Sequence, residues 1–142
     1  MAKLERDALL LREEVSSDRF FNFVVTAYAL VDWIRKDPVV PRSAKKALPQ
    51  FRSKPEIQIC RDLANASKHF ELDPNPKLNP NPIVASANSD QGFGFGRVSA
   101  GGWGVGEEEI TIWLSEGNRV NGLKVMEDAL REWRDFFQTH SV

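Results

Sequence analysis

Asp18-Arg-Phe-Phe-Asn-Phe-Val-Val-Thr-Ala-Tyr-Ala-Leu-Val-Asp-Trp-Ile-Arg-Lys36 decides how this chain folds, and 18–36 is read as its second helix. At about 100° per residue, Phe20, Val24, Ala27, Val31 and Ile34 fall on one stripe, and Phe21, Val25 and Tyr28 are expected to widen it. A helix so broadly apolar has to be contacted on several sides, so it is read as the central member of a helical bundle. Ser16, Ser17 and Asp18 are N-cap candidates at its start, and Asp37-Pro38 closes it, because a residue before proline is pushed out of the helical region.

Around this helix the spacing predicts others. Residues 4–14 read as a short first helix. A third is expected over 55–71, with Pro55 suited to a first helical position and Ile59, Leu63, Ala66 and Phe70 as its apolar face. Leu123, Met126, Leu130, Trp133 and Phe137 recur at alternating spacings of three and four, which places the closing helix at 119–138. Pro38, Pro41 and Pro49 are read as allowing only a helical turn near Ser43 to Leu48. Four prolines between Pro74 and Pro82 require an extended loop. Strand chemistry follows in the β insertion at 83–115: Ile83 to Asn88, Phe93 to Ser99, and Glu108 to Leu114, where Ile110, Ile112 and Leu114 alternate with Glu109, Thr111 and Trp113. Glu116-Gly117-Asn118 is a turn. The fold expected for residues 1–142, taken as one domain, is mainly α: a bundle of about four helices with a small antiparallel sheet inserted before the C-terminal helix.

Composition narrows the function classes. The chain has 142 residues, 42% hydrophobic and 27% charged, in keeping with a folded domain and not with a disordered tail or coiled-coil rod. Its net charge of -1 gives no global field to draw it onto nucleic acid or membrane. That balance divides unevenly: residues 1–72 carry a net charge of +3 and residues 73–142 one of -4. The apolar start of the chain is cut by Arg12-Glu13-Glu14, unlike a signal peptide, and no stretch reaches the roughly 18 uncharged residues of a membrane span. With a single cysteine, Cys60, expected to be a small buried thiol, a reducing cytoplasm is the expected location.

Two groups of residues are candidates for a site. On the third helix, Arg61, Asn65 and His69 stand at i, i+4 and i+8 with Lys68 and Gln58 in the same sector, opposite the apolar face. A histidine beside cations can move a proton near neutral pH, and arginine or lysine can hold a phosphate, which is the chemistry of metal-independent RNA cleavage. The same face is equally what any amphipathic helix presents to water. The second candidate is the segment 35–54, in which Arg35, Lys36, Arg42, Lys45, Lys46, Arg52 and Lys54 meet one acid, Asp37. Its sign suits phosphates, or a complement in Glu107-Glu108-Glu109. The glycine clusters Gly92–Gly96 and Gly102–Gly106 lack phosphate-loop spacing, and Cys60, His69 and His140 do not make a metal set, so neither cofactor nor metal is expected.

The string Ile59-Cys-Arg-Asp-Leu-Ala-Asn-Ala-Ser-Lys-His-Phe70 resembles the central helix of a group of small bacterial proteins, and the layout resembles the HEPN superfamily of helical-bundle RNases and nucleotide-binding proteins from toxin–antitoxin and phage-defence systems. Asn65 and His69 match the second half of that superfamily's motif. Ala64 stands where its arginine is expected, and Arg61 lies on the same helical face, separated from His69 by seven residues. The resemblance covers about 18–72 and the final helix. It implies a homodimer that pools Arg61, Asn65 and His69 in a shared cleft without metal. RNA or a nucleotide would be the ligand, held also by Lys68, Lys45, Lys46 and Arg42, and an antitoxin-like protein a further partner. The alternative is a non-catalytic module that uses the same face to bind a protein or an anionic ligand.

Overall fold

A computed structural model describes residues 1–69, 81–91 and 108–142, without the side chains of 67–69, 90 and 91. Five helices, α1 (Ala2–Glu13), α2 (Ser17–Lys36), α3 (Arg42–Arg52), α4 (Pro55–His69) and α5 (Gly122–His140), accompany three strands, β1 (Val84–Gln91), β2 (Glu108–Leu114) and β3 (Arg119–Asn121). The sheet is antiparallel with order β1-β2-β3 and precedes the C-terminal helix. The expected strand at 93–99 and the proline loop up to Pro80 lie outside the described residues.

The central position of α2 is observed: α1, α3, α4 and α5 all pack against it. Ser16 caps it, its side chain accepting from Arg19 N at 3.3 Å. Its buried stripe widens on the side opposite to the one expected. Phe23, Thr26 and Leu30 join Phe20, Val24, Ala27, Val31 and Ile34 in the core, while Phe21 is exposed and Val25 and Tyr28 are half-buried. The reason is the placement of α1, which brings Leu4, Ala8 and Leu11 into the core. Thr26 donates to Asp7 Oδ2 at 2.6 Å there, and Lys3 Nζ donates to the same carboxylate oxygen at 2.6 Å, so a buried hydroxyl and a buried acid satisfy each other between the two helices.

The proline-bounded segment is a full helix. α3 runs eleven residues with Pro41 at its N-cap and Pro49 inside. Ala44, Leu48 and Phe51, at i, i+4 and i+7, are buried against the bundle, and that apolar row outweighs the hydrogen bond which Pro49 cannot donate. Phe51 lies 4.4 Å from the Trp133 ring centre and 4.7 Å from that of Phe136, both on α5. On α5 itself Phe136, not Phe137, is the more deeply buried of the pair.

The sheet meets the bundle through β2 and β3 against α5 and through β1 against α4. Ile110 and Ile112 are buried and Glu109 and Trp113 exposed, as the alternation predicts. Gly117, at φ +88, allows the turn into the short β3, and Asn121 then caps α5 by accepting from Leu123 N at 2.9 Å. The closing helix therefore begins three residues later than expected. At its first residue, Gly122, an added Cβ would lie 2.7 Å from Ile110 Cγ2 and 3.3 Å from Phe20, so α5, β2 and α2 converge there at backbone distance. Glu108 Oε2 accepts from Ser17 N at 2.7 Å, placing a carboxylate at the positive end of α2.

Candidate functional site

The polar sector of α4 is only half exposed. The helix is buried at Ile57, Ile59, Cys60, Asp62, Leu63 and Ala64, because neighbours lie on several of its sides: α2, α3, α5 and β1. Gln58, Arg61 and Asn65 occupy the strip left between these contacts, each half-buried. α4 is helical through His69, and the side chains of Lys68 and His69 lie outside the described residues.

Arg61 has internal partners. Its Nε donates to Asp62 Oδ1 at 2.9 Å, Nη2 lies 2.8 Å from the same oxygen, and Nη2 also reaches the Asn81 carbonyl at 3.4 Å. Asp62 is 1% exposed, and its other oxygen accepts from the backbone N–H groups of Ile83 and Val84 at 2.7 and 3.2 Å. One carboxylate thus joins α4 to the start of β1, and the guanidinium answers its charge. Burial of an ionised group requires such partners. Sequence reasoning did not single out Asp62. The available signal was its setting, with Ile59, Cys60, Leu63 and Ala64 around it on one helix.

Cys60 is fully buried, and burial, with a smaller contribution from Glu56, pushes its thiol from 9.0 up to about 12. It is a packing residue, as expected, and not a nucleophile at neutral pH. Among the described residues no three His, Cys, Asp or Glu side chains are grouped so as to hold a metal ion.

The basic segment divides into cations with carboxylate partners and cations without. Arg35 pairs with Asp32 at 2.6 Å, and Lys54 pairs with Glu132 of α5 while its ammonium lies 5.8 Å from the Phe51 ring centre. Lys45 Nζ donates to the Asp37 carbonyl at 2.6 Å, and Arg52 Nη2 reaches the Tyr28 hydroxyl at 3.5 Å. Both partners are neutral, so both positive charges stay unanswered. Arg42 and Lys46 are exposed and form no ion pair among the described residues. Helical spacing puts Arg42 and Lys46 on the face of α3 opposite Ala44, Leu48 and Phe51, and Lys45 and Arg52 on one flank, the four spanning a rise of about 15 Å. Glu108, one expected complement, is committed to the start of α2.

α1 shows what a matched surface pair looks like. Arg12 grips Glu127 of α5 with two contacts of 2.6 Å. The hydrogen bond from Arg12 holds the Glu127 carboxyl below the usual carboxylate range, and the same bond raises the Arg12 guanidinium. No helix among the described residues is long and apolar enough to cross a membrane. No protein-family model matches the chain, and neither a curated protein nor a solved structure shows a significant similarity to it.

Proposed function

We propose that this chain is an RNA-directed binding protein that holds the phosphate backbone on the outer face of α3. The observation that carries this reading is the set Arg42, Lys45, Lys46 and Arg52, spread over the outer face and one flank of α3, four cations with no carboxylate partner among the described residues. Unneutralised charge over about 15 Å attracts a polyanion, and releasing that polyanion's counterions drives association. Cleavage is secondary in this reading. Arg61 would have to leave Asp62 before it could stabilise charge on a phosphate, and a buried carboxylate without its cation is costly.

The second reading, metal-independent cleavage by Arg61, Asn65 and His69 across a homodimer, is favoured by the continuity of α4 through His69, which keeps the three on one face. Anisotropy titrations of labelled RNA at several salt concentrations test the first. Affinity should fall with salt at a log–log slope of about -3 for four phosphate contacts to a single strand. Arg42→Glu with Lys46→Glu should weaken binding and flatten the slope. RNA incubated without metal should stay intact; cleavage that disappears in His69→Ala would establish the nuclease in its place. Mass in solution reports the homodimer.

A further inference from the structure

The outer side of α2 carries a pattern of its own. At about 100° per residue, Asp18, Val25, Ala29 and Lys36 fall within a sector of about 40°, opposite the buried Phe20, Ala27 and Ile34. Phe21 and Trp33, 39% and 53% exposed, stand about 60° to either side of that line, while Val25 and Ala29 are half-buried. Contacts from other helices bound the face: Thr26 bonds Asp7 of α1 on one side, and Tyr28 meets Arg52 of α3 on the other. Between these two lie about 160° of helix surface. At its ends, Asp18 and Lys36 are exposed, and their side chains form no ion pair or hydrogen bond among the described residues. The charges beside them are answered, Arg19 by Glu14 and Asp32 by Arg35.

Asp18 and Lys36 lie nine residues to either side of Ala27, about 13 Å along the helix axis. A two-fold axis level with Ala27 runs two copies of α2 antiparallel, and it sets each Asp18 level with the second copy's Lys36 and each Val25 level with the second copy's Ala29. Parallel pairing would bring Asp18 to Asp18 and Lys36 to Lys36, so the charges select the antiparallel arrangement. The small Ala29 admits a second helix closely, and Phe21 and Trp33 cover the seam from its two sides. We propose that the chain forms a two-fold dimer through the outer face of α2, its partner a second copy, with an apolar middle and an Asp18–Lys36 ion pair at each end. This goes beyond the reading of α3 and needs no RNA. It also differs from a shared cleft on α4, since Arg61, Asn65 and His69 are not part of the seam.

Sedimentation equilibrium of the intact chain at about 1 to 200 μM in low salt, without RNA, tests it. The chain should dimerise within that range. Asp18→Lys and Lys36→Asp, each alone, place like charges together twice in the symmetric dimer and should weaken association about tenfold or more. An equimolar mixture of the two variants should recover it, because their heterodimer carries two pairs of opposite charge. Trp33→Ala should weaken dimerisation about 5- to 30-fold. Circular dichroism should show all three variants folded, and a role confined to the helix dipole would alter stability without altering mass. If the unaltered chain stays monomeric throughout, or the mixture associates no better than either variant alone, the proposal is overturned. A dimer unmoved by Asp18→Lys and Trp33→Ala would use another face, such as α4, and overturns it equally.

Discussion

α3 and α4 both carry polar residues at helical spacing, yet their charges are met differently. On α4 the charge of Arg61 and Asp62 is spent inside the molecule: Arg61 answers Asp62, and Asp62 answers the backbone N–H groups of Ile83 and Val84 where β1 begins. On α3 the cations find no carboxylate among the described residues and reach at most a carbonyl or a hydroxyl. A polar helix face is therefore not one kind of object. Whether it is a joint or a surface depends on what packs beside it, and β1 packs beside α4.

The comparison can be broken most forcefully at Asp62. Asp62→Ala leaves Arg61 and the N–H groups of Ile83 and Val84 without their acceptor, and urea unfolding should show a loss of about 3–5 kcal/mol. A loss below about 1 kcal/mol would mean that the pair is no joint. On α3, the corresponding stability resides in the apolar side, so Leu48→Ala should cost about 2–4 kcal/mol by the same measurement. Arg61→Ala should cost about 2 kcal/mol, less than Asp62→Ala because the Asp62 carboxylate keeps its two backbone N–H donors, and Arg61→Lys should recover only part, since one ammonium cannot reproduce both guanidinium contacts.

Two smaller effects sharpen the contrast. Cys60, on the interior side of α4, has its folded thiol raised from 9.0 to about 12. The stability gained by keeping it neutral is complete below pH 9 and is lost as pH rises from 9 toward 12, by about 1.4 kcal/mol per pH unit. Unfolding curves between pH 8 and about 10.5 should show the decline, and a thiol reagent at neutral pH should label the native protein far more slowly than the unfolded chain. Smallest of all, Arg42→Glu with Lys46→Glu should move stability by no more than about 0.5 kcal/mol, because neither residue has an internal partner among the described residues. A large loss there would make α3's outer face a structural element after all.

The sequence was readable wherever one period dominated. α2 and α5 repeat apolar residues at three and four, and β2 alternates, so their type and the middle of each core stripe follow from pattern alone. α3 was hidden by its prolines: Pro41 and Pro49 read as stops, although Ala44, Leu48 and Phe51 already formed a row. The widening of α2 went to the wrong side because Phe21 and Phe23 are chemically equivalent, and only the position of α1 chooses between them. For the candidate site, the spacing of Arg61 and Asn65 was visible, but a sequence holds no sign that β1 returns to Asp62 from twenty residues away. The cations of α3 were legible as composition, and their lack of carboxylate partners required the fold.

Gly122 gives the bundle a constraint of a different kind. With Ile110 Cβ 2.9 Å from where its own Cβ would be, even alanine would have to displace a branched core side chain at its root. Under random substitution, the outer face of α3 can drift through almost any polar residue without unfolding the chain, whereas this one position can scarcely vary. A lineage of such proteins would then change its ligand freely while keeping one invariant atom of hydrogen where helix, strand and helix meet.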